Sequence, residues 1–499
     1  MIKPDYRAVL SPGIKTLKGK NAIECKFDIG TDSDKKIISV SGAAYPLSCE
    51  LKDKTVNYGG RAVFTLVYQS DEGFNKIENG VEFSGKLEAE GFSAVTEPKL
   101  TLNLENVELK QDGGLTARAV ASAEISAAVP NEFSVFIGGE GIESKTGEIE
   151  YNAVHSAKAS VFTLEDEFEV NYPVKDILWH GEKVYVSSAQ CGIGCIIIEG
   201  EIGASLCIIP LLESAEPIKE KRLIPFRLEL ESADALPNMA STGAAALKGA
   251  SFKVFADESK NKSSVTAKFD IELTGDAVDT VKTEIVTDSY SLVNELENTF
   301  EEKSIEIYGG QYSSAEKFIG TAACEVPENS RAVCAINENF TVVSVSGDDK
   351  ITADGIVSAT VLFRNADGGY IAKNAEMPVS LTVAATGTIK EFKTALIDFT
   401  ARIRNGGVEF DCSIKYYYKI FTSKTLKYIG ACVEGEAKQK SSAAISVYIP
   451  KDGDTLWDIS KELGETSEVI MLYNKDLRFP LTGEERILIY RRKQADFNL

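Results

Sequence analysis

Few residues in this 499-residue chain have the type and spacing that chemistry needs, and the densest set is Gly453-Asp454-Thr455-Leu456-Trp457. Thr455 and Asp458 have the spacing of a capping box, in which a hydroxyl and a carboxylate each satisfy an amide left unpaired by a helix's first turn. Elsewhere the candidates are thin. A serine hydrolase would have to use His155 or His180, the only two histidines, and neither sits in a recognisable motif. No Gly-x-Ser-x-Gly elbow and no Gly-x-x-x-x-Gly-Lys-Ser/Thr phosphate loop occurs. Cys191-Gly-Ile-Gly-Cys195 with Cys207 downstream lacks the spacing of a zinc knuckle and no second pair follows, so paired strand cysteines are expected there and not a metal. Glu165, Asp166, Glu167 and Glu169 could supply the two carboxylates of a glycosidase. With 75 acids in the chain, however, such runs arise by chance and mark solvated strand edges. Trp179-His180-Gly181 reads as a tryptophan plugging a core or interface, and Tyr416-Tyr417-Tyr418 as a strand partly covered on both faces. The expectation is a protein that is not an enzyme, with no catalytic residue, metal ligand or cofactor.

The elements around the pentapeptide form a unit of their own. Ile445 to Ile449 alternates like a strand, stops at Pro450, and turns through Lys451-Asp452-Gly453-Asp454. Leu456, Ile459 and Leu463 then share one helical face that Gly464 ends. A second short helix opens at Ser467, points Ile470 and Tyr473 inward and stops at Asn474, and Ile487–Tyr490 closes a βααβ pattern.

This segment, residues 443–499, resembles the LysM family: the GDTL-W motif is Gly453-Asp454-Thr455-Leu456-Trp457, the helix-ending Asn is Asn474, and the late Leu and Gly are Leu481 and Gly483, one residue apart. The resemblance implies a groove for N-acetylglucosamine-containing glycans, lined by Gly453, Asp454, Thr455 and Leu456 on one side and by Ile470, Asn474, Leu481 and Gly483 on the other. Thr482 stands where the family has proline, and Glu484-Glu485-Arg486 crowds the last loop with charge. Both departures weaken the glycan reading, and an expected cytoplasmic setting leaves the groove for a protein ligand, for which Trp457 is the aromatic anchor to test.

Composition narrows the setting. A chain of this length divides into several domains, and 43% hydrophobic residues can fill their cores. A net charge of −21 repels phosphate backbones and anionic headgroups, so nucleic acid is not expected as a partner. The amino terminus has no apolar run of signal-peptide length and no later stretch approaches a transmembrane segment, which predicts a cytoplasmic protein. Nine scattered cysteines do not form a secreted disulfide framework.

Before residue 440 the chain is mainly β, in short alternating runs bounded by Gly, Asn, Asp and Ser. One pattern occurs three times. Gly60, Gly200 and Gly355 each open an apolar strand, a second strand follows at Glu82-Phe83, Pro225-Phe226 or Pro378-Val379, and a hairpin closes the copy. Asp112-Gly113 and Asn405-Gly406 are the tight turns of the first and third hairpins, and 258–262 is a looser turn in the second. The expected organisation is three antiparallel β domains, sandwich or barrel-like, at 1–168 (with extra strands), 169–285 and 305–440. Residues 286–304 are read as a helical connector with Leu292, Leu296 and Phe300 on one face.

Three such repeats before a LysM module resemble the SPOCS-repeat, LysM-ended spore morphogenetic proteins of endospore-forming clostridia. The resemblance implies a mother-cell scaffold at the forespore surface that joins the coat to its basement layer through a SpoIVA-type protein and contacts other coat proteins. The alternatives are a peptidoglycan-binding protein of wall or cortex and a cell-wall hydrolase.

Overall fold

The computed structural model describes residues 2–490 apart from 29–34, 72, 91–96, 112–113, 212–215, 258–260, 348–349, 385–386, 440–442 and 480. It is mainly β, and its first 437 residues are one architecture executed three times. The first unit comprises β1 (Lys3–Leu10), β2 (Gly13–Phe27), β3 (Lys36–Lys52), β4 (Thr55–Ser70), β5 (Gly73–Glu88), β6 (Lys99–Lys110), β7 (Leu115–Val129) and β8 (Glu132–Glu140). Two antiparallel three-stranded sheets, ordered β2-β7-β6 and β3-β4-β5, face each other, while β1 and β8 pair outside them as two arms, one leading in and one returning.

The second unit runs through β9 (Glu143–Ser156), β10 (Ser160–Val170), β11 (Val174–Cys191), β12 (Cys195–Pro210), β13 (Ile218–Glu231), β14 (Ala240–Asp257) and β15 (Lys262–Tyr290). Its sheets are β10-β15-β14 and β11-β12-β13, and the far half of β15 returns to pair with β9. The third unit has β16 (Asn294–Ala322), β17 (Arg331–Ser346), β18 (Lys350–Arg364), β19 (Tyr370–Ala384), β20 (Thr388–Arg404) and β21 (Gly407–Ala437). There both arms are continuous with the sandwich, since β16 and β21 pair along almost their whole lengths.

The sequence-based boundaries shift in consequence. Strands β9 and β10 hydrogen-bond to β15, so the extra strands assigned to 1–168 belong to the second unit, and the first ends at β8. The helix expected over 286–304 is instead the end of β15 and the start of β16, joined through 291–293. A spacing of four residues suits two turns of pleat as well as one turn of helix, and pairing with β9 and β21 decides for the strand. Leu296 is half-buried between the exposed Glu295 and Glu297, which is strand alternation. Asn405-Gly406 makes its tight turn, with φ of 53° and 77°, whereas Asp112-Gly113 lies outside the described residues.

The repeated glycines lie inside β4, β12 and β18, not at their starts. Opposite each, the neighbouring strand carries a β-bulge: the pairing skips Leu47, Ser187 and Val343. An aromatic ring is seated on each glycine, so that a Cβ there would meet Phe83 at 2.7 Å, Phe226 at 2.5 Å or Phe340 at 2.5 Å. A side chain at these points would displace a core ring, which gives the glycines a packing role. Gly200→Ala should lower the urea-unfolding stability by about 1–3 kcal/mol, the opposite sign to an ordinary Gly→Ala change in a strand.

The three units are fused at both ends of a shared axis. At one end the arms pack their apolar faces together: Val9, Phe133 and Val135 from the first, Ile149 and Ile285 from the second, Ile305, Leu426 and Tyr428 from the third. At the other, Ile38, Val67 and Phe74 meet Leu178, Trp179 and Cys207, and Cys334, Leu362 and Tyr370. The terminal module, β22 (Ile445–Tyr448), α1 (Leu456–Leu463), α2 (Ser467–Tyr473) and β23 (Ile487–Tyr490), is a separate βααβ unit with its own core of Ile459, Ile470, Leu481 and Ile487.

Candidate functional site

Thr455 caps α1 as its type and spacing require. Its hydroxyl accepts from the Asp458 amide, the Asp458 carboxylate accepts from the Thr455 amide at 2.9 Å, and Gly464 ends the helix in the left-handed region. The Thr455 hydroxyl also donates to Asp458 Oδ2 at 2.6 Å, and this bond, with the one from the Thr455 amide, holds the Asp458 carboxyl below its ordinary pKa range. Gly453 and Gly483 adopt φ of 86° and 83°, which explains glycine at both turns. The Gly453 amide donates to the Leu481 carbonyl at 2.8 Å, and the Leu481 amide to the Asp454 carbonyl at 3.2 Å. The two loops that would flank a groove are thus stitched to each other.

The remaining residues expected in the groove divide by role. Ile470 and Leu481 are buried in the module's core, with Leu456 packed against it. Asn474 fixes the last strand: its Nδ2 donates to the carbonyls of Ile470 and Leu488, and its Oδ1 accepts from the Leu488 amide, each at 2.8 Å. The Asp454 carboxylate accepts from the Lys451 amide at 2.7 Å.

Trp457 neither fills that core nor faces open solvent. Its ring stands edge-on to Tyr290 of β15 at 5.0 Å, and its indole Nε1 donates to Asp288 Oδ2 at 2.8 Å. Lys461, one turn further along α1, donates to Asp288 Oδ1 at 2.5 Å, and the Tyr290 hydroxyl donates to the Glu465 carbonyl at 2.9 Å. Burial would raise the Asp288 pKa, but the hydrogen bonds from Lys461 and Trp457 outweigh it and the group is held below its usual range. The module is therefore docked on the returning arm of the second unit. Asp288 and Tyr290 fell in the segment read as a helix, and only comparison of the three arms would have singled them out.

All three units line a cavity of about 1870 Å³ that runs from Asp276 at the arm end to Trp179 and His180 at the other. Its walls are polar and largely self-compensated, with ion pairs between units: Lys99 with Asp276 at 2.7 Å and Lys393 with Glu124 at 3.1 Å. Lys415 pairs with Glu201 between the second and third units outside this lining. Asp276 also accepts from Ser156 and Thr242; burial works against its charge, but Lys99 and Lys419 outweigh it and keep the carboxylate ionised.

The other chemically suggestive groups are occupied. His180 Nδ1 lies 2.6 Å from Glu182, its Nε2 lies 3.7 Å from Glu78 of the first unit, and its ring packs 4.9 Å from Phe252. Burial lowers its pKa, yet the two carboxylates win and raise it to about 9. The ring is consequently a protonated bridge between units at neutral pH, without the free lone pair that a general base needs. Cys207 faces Cys334 across units at 3.2 Å and not the Cys191-Cys195 pair. Glu165, Glu167 and Glu169 form a cross-strand ladder with Lys268, Ser264 and Lys262.

No family model matches the chain, and neither a curated protein nor a solved structure does. Among the described residues no helix is long and apolar enough to cross a membrane.

Two measurements test these assignments. Hydrogen exchange on the full chain should show module amides as protected in Trp457→Ala as in the wild type. Ile470→Ala should lose about 2–4 kcal/mol of that protection, because only it removes core volume. The His180 bridge has a pKa above its ordinary 6.5, so its stabilisation is complete below that value and lost as pH rises through about 9. Between pH 6.5 and 9 the urea midpoint should therefore fall more steeply in the wild type than in His180→Gln.

Proposed function

We propose that the chain is a non-enzymatic scaffold of spore-coat assembly in the mother cell, and that its terminal βααβ module is a LysM unit that docks a SpoIVA-type basement-layer protein. The observation that carries this reading is the ordered set Gly453-Asp454-Thr455-Leu456-Trp457, which folds as turn, cap and helix start in a module separate from three fused β units. Order matters more than any one residue, since each alone belongs in any capped helix.

A protein ligand is favoured over a glycan by the loops themselves. The backbone groups of Gly453, Asp454 and Leu481 that would otherwise meet sugar hydroxyls are spent on each other. The β body suits a rigid platform, because its units are joined by two apolar clusters and by ion pairs.

The test compares the full chain with a chain ending at residue 442 as baits in extracts of sporulating cells. Capture of the basement-layer protein should be lost on truncation while urea unfolding of the β body is retained. Equal capture by both chains would refute the docking assignment. Sedimentation of the full chain with purified peptidoglycan, lost on the same truncation, would instead favour the glycan-binding alternative. Glycan cleavage by residues 1–442 would establish a hydrolase.

A further inference from the structure

We infer that the α1 face of the terminal module, centred on Trp457 and Lys461, recognises an extended segment carrying a carboxylate two residues ahead of an aromatic ring. The second unit's returning arm occupies this face as an internal latch. The inference rests on the reading of the module as a protein dock and names what that dock recognises.

The threefold repetition supplies an internal control. Each returning arm has a single-residue bulge at the same place: pairing skips Ile137 in β8, Thr287 in β15 and Gly430 in β21. The residues just before these bulges, Phe136, Val286 and Ile429, meet in one buried cluster, which confirms that the arms are in register. Counting from the bulge, the first and third positions are Gly138 and Glu140 in the first arm, Asp288 and Tyr290 in the second, and Ala431 and Val433 in the third. The chain leaves β21 beside the second arm, where the Lys438 amide donates to the Val293 carbonyl at 2.8 Å, and of the three arms this is the one with a carboxylate and a ring at these positions.

The contact is specific in chemistry and modest in extent. A carboxylate receives both the indole N–H and the Lys461 ammonium, and a phenol ring meets the indole edge while its hydroxyl holds the end of α1. Asp288 remains a quarter exposed and Lys461 nearly half, while Tyr290 is buried against the indole. The part-exposed ion pair exchanges with water or an equivalent carboxylate at little cost, and a competing segment must also supply a ring to replace that of Tyr290. A partner strand bearing Asp or Glu, any residue, then Tyr presents the same groups and displaces the latch.

Intrinsic fluorescence can follow this exchange, because Trp457 and Trp179 are the only tryptophans and Trp179 is buried between units. Asp288→Lys repels Lys461 while leaving Tyr290 in place, and in the full chain it should shift the emission to the red. The synthetic peptide EIVTDSYSL, residues 284–292, should bind that variant at least tenfold more tightly than the wild type. The peptide EIVTKSASL should bind neither. Lys461→Asp should also release the module, and combining it with Asp288→Lys should move the emission back toward the wild type by restoring the ion pair, though not fully, because an ammonium cannot accept from the indole N–H; such recovery excludes misfolding as the cause. Equal affinity of EIVTDSYSL for wild type and Asp288→Lys, binding of both peptides alike, binding of neither, or no restoration in the charge swap would overturn the latch. Capture of the basement-layer protein by the intact chain without any peptide binding would sink the latch alone. Peptide binding without capture would sink the scaffold reading alone.

Discussion

The packing of six arm strands into one apolar cluster is the constraint on which the rest of the molecule depends. Each unit leaves its sandwich beside the point where it began, so leading and returning arms pair as an antiparallel ribbon. A two-stranded ribbon is marginal alone because one face stays exposed. Three of them, meeting through Val9, Phe133, Val135, Ile149, Ile285, Ile305, Leu426 and Tyr428, bury that face together. The bulges at Ile137, Thr287 and Gly430 sharpen the local twist, as an extra unpaired residue does, at the same place in every arm. Once the arms are joined, the sandwiches have little freedom left, and the cavity between them follows.

Charge completes what the apolar cluster begins. The chain carries a net charge of −21, so three acidic sandwiches brought together would repel unless opposite charges met where they touch. They do so at each junction: Lys99 reaches Asp276, Lys393 reaches Glu124, Lys415 reaches Glu201, and protonated His180 lies between Glu182 and Glu78. Buried pairs of this kind add little net stability because desolvation offsets attraction. They make every misaligned arrangement costly, which fixes the units in one register.

The terminal module is held differently. Its core is complete without the body, and it touches the second arm through a carboxylate, an ammonium, an indole and a phenol. A body of fused units with a module fastened through a few side chains is the arrangement on which the proposed scaffold reading draws.

Much of this was open to reading in the residues. Alternation and turn dipeptides give antiparallel β structure, Thr455 and Asp458 give a capped helix, and the spacing of Leu456, Ile459 and Ile470 gives a small helical core, because each depends on neighbours within a few positions. The pleat and the helix repeat are local properties of the backbone. What only the tertiary structure decided lies at longer range. The segment 286–304 is strand because β9 and β21 lie beside it, although its apolar spacing suits a helix equally. The repeated glycines serve rings that come from other strands. Trp457 reaches Asp288 across 169 positions, and no periodicity encodes that distance. Local spacing determines which elements form; which faces meet, and hence which residues are spent on holding the molecule together, is settled by packing surfaces that the chain brings into contact only when folded.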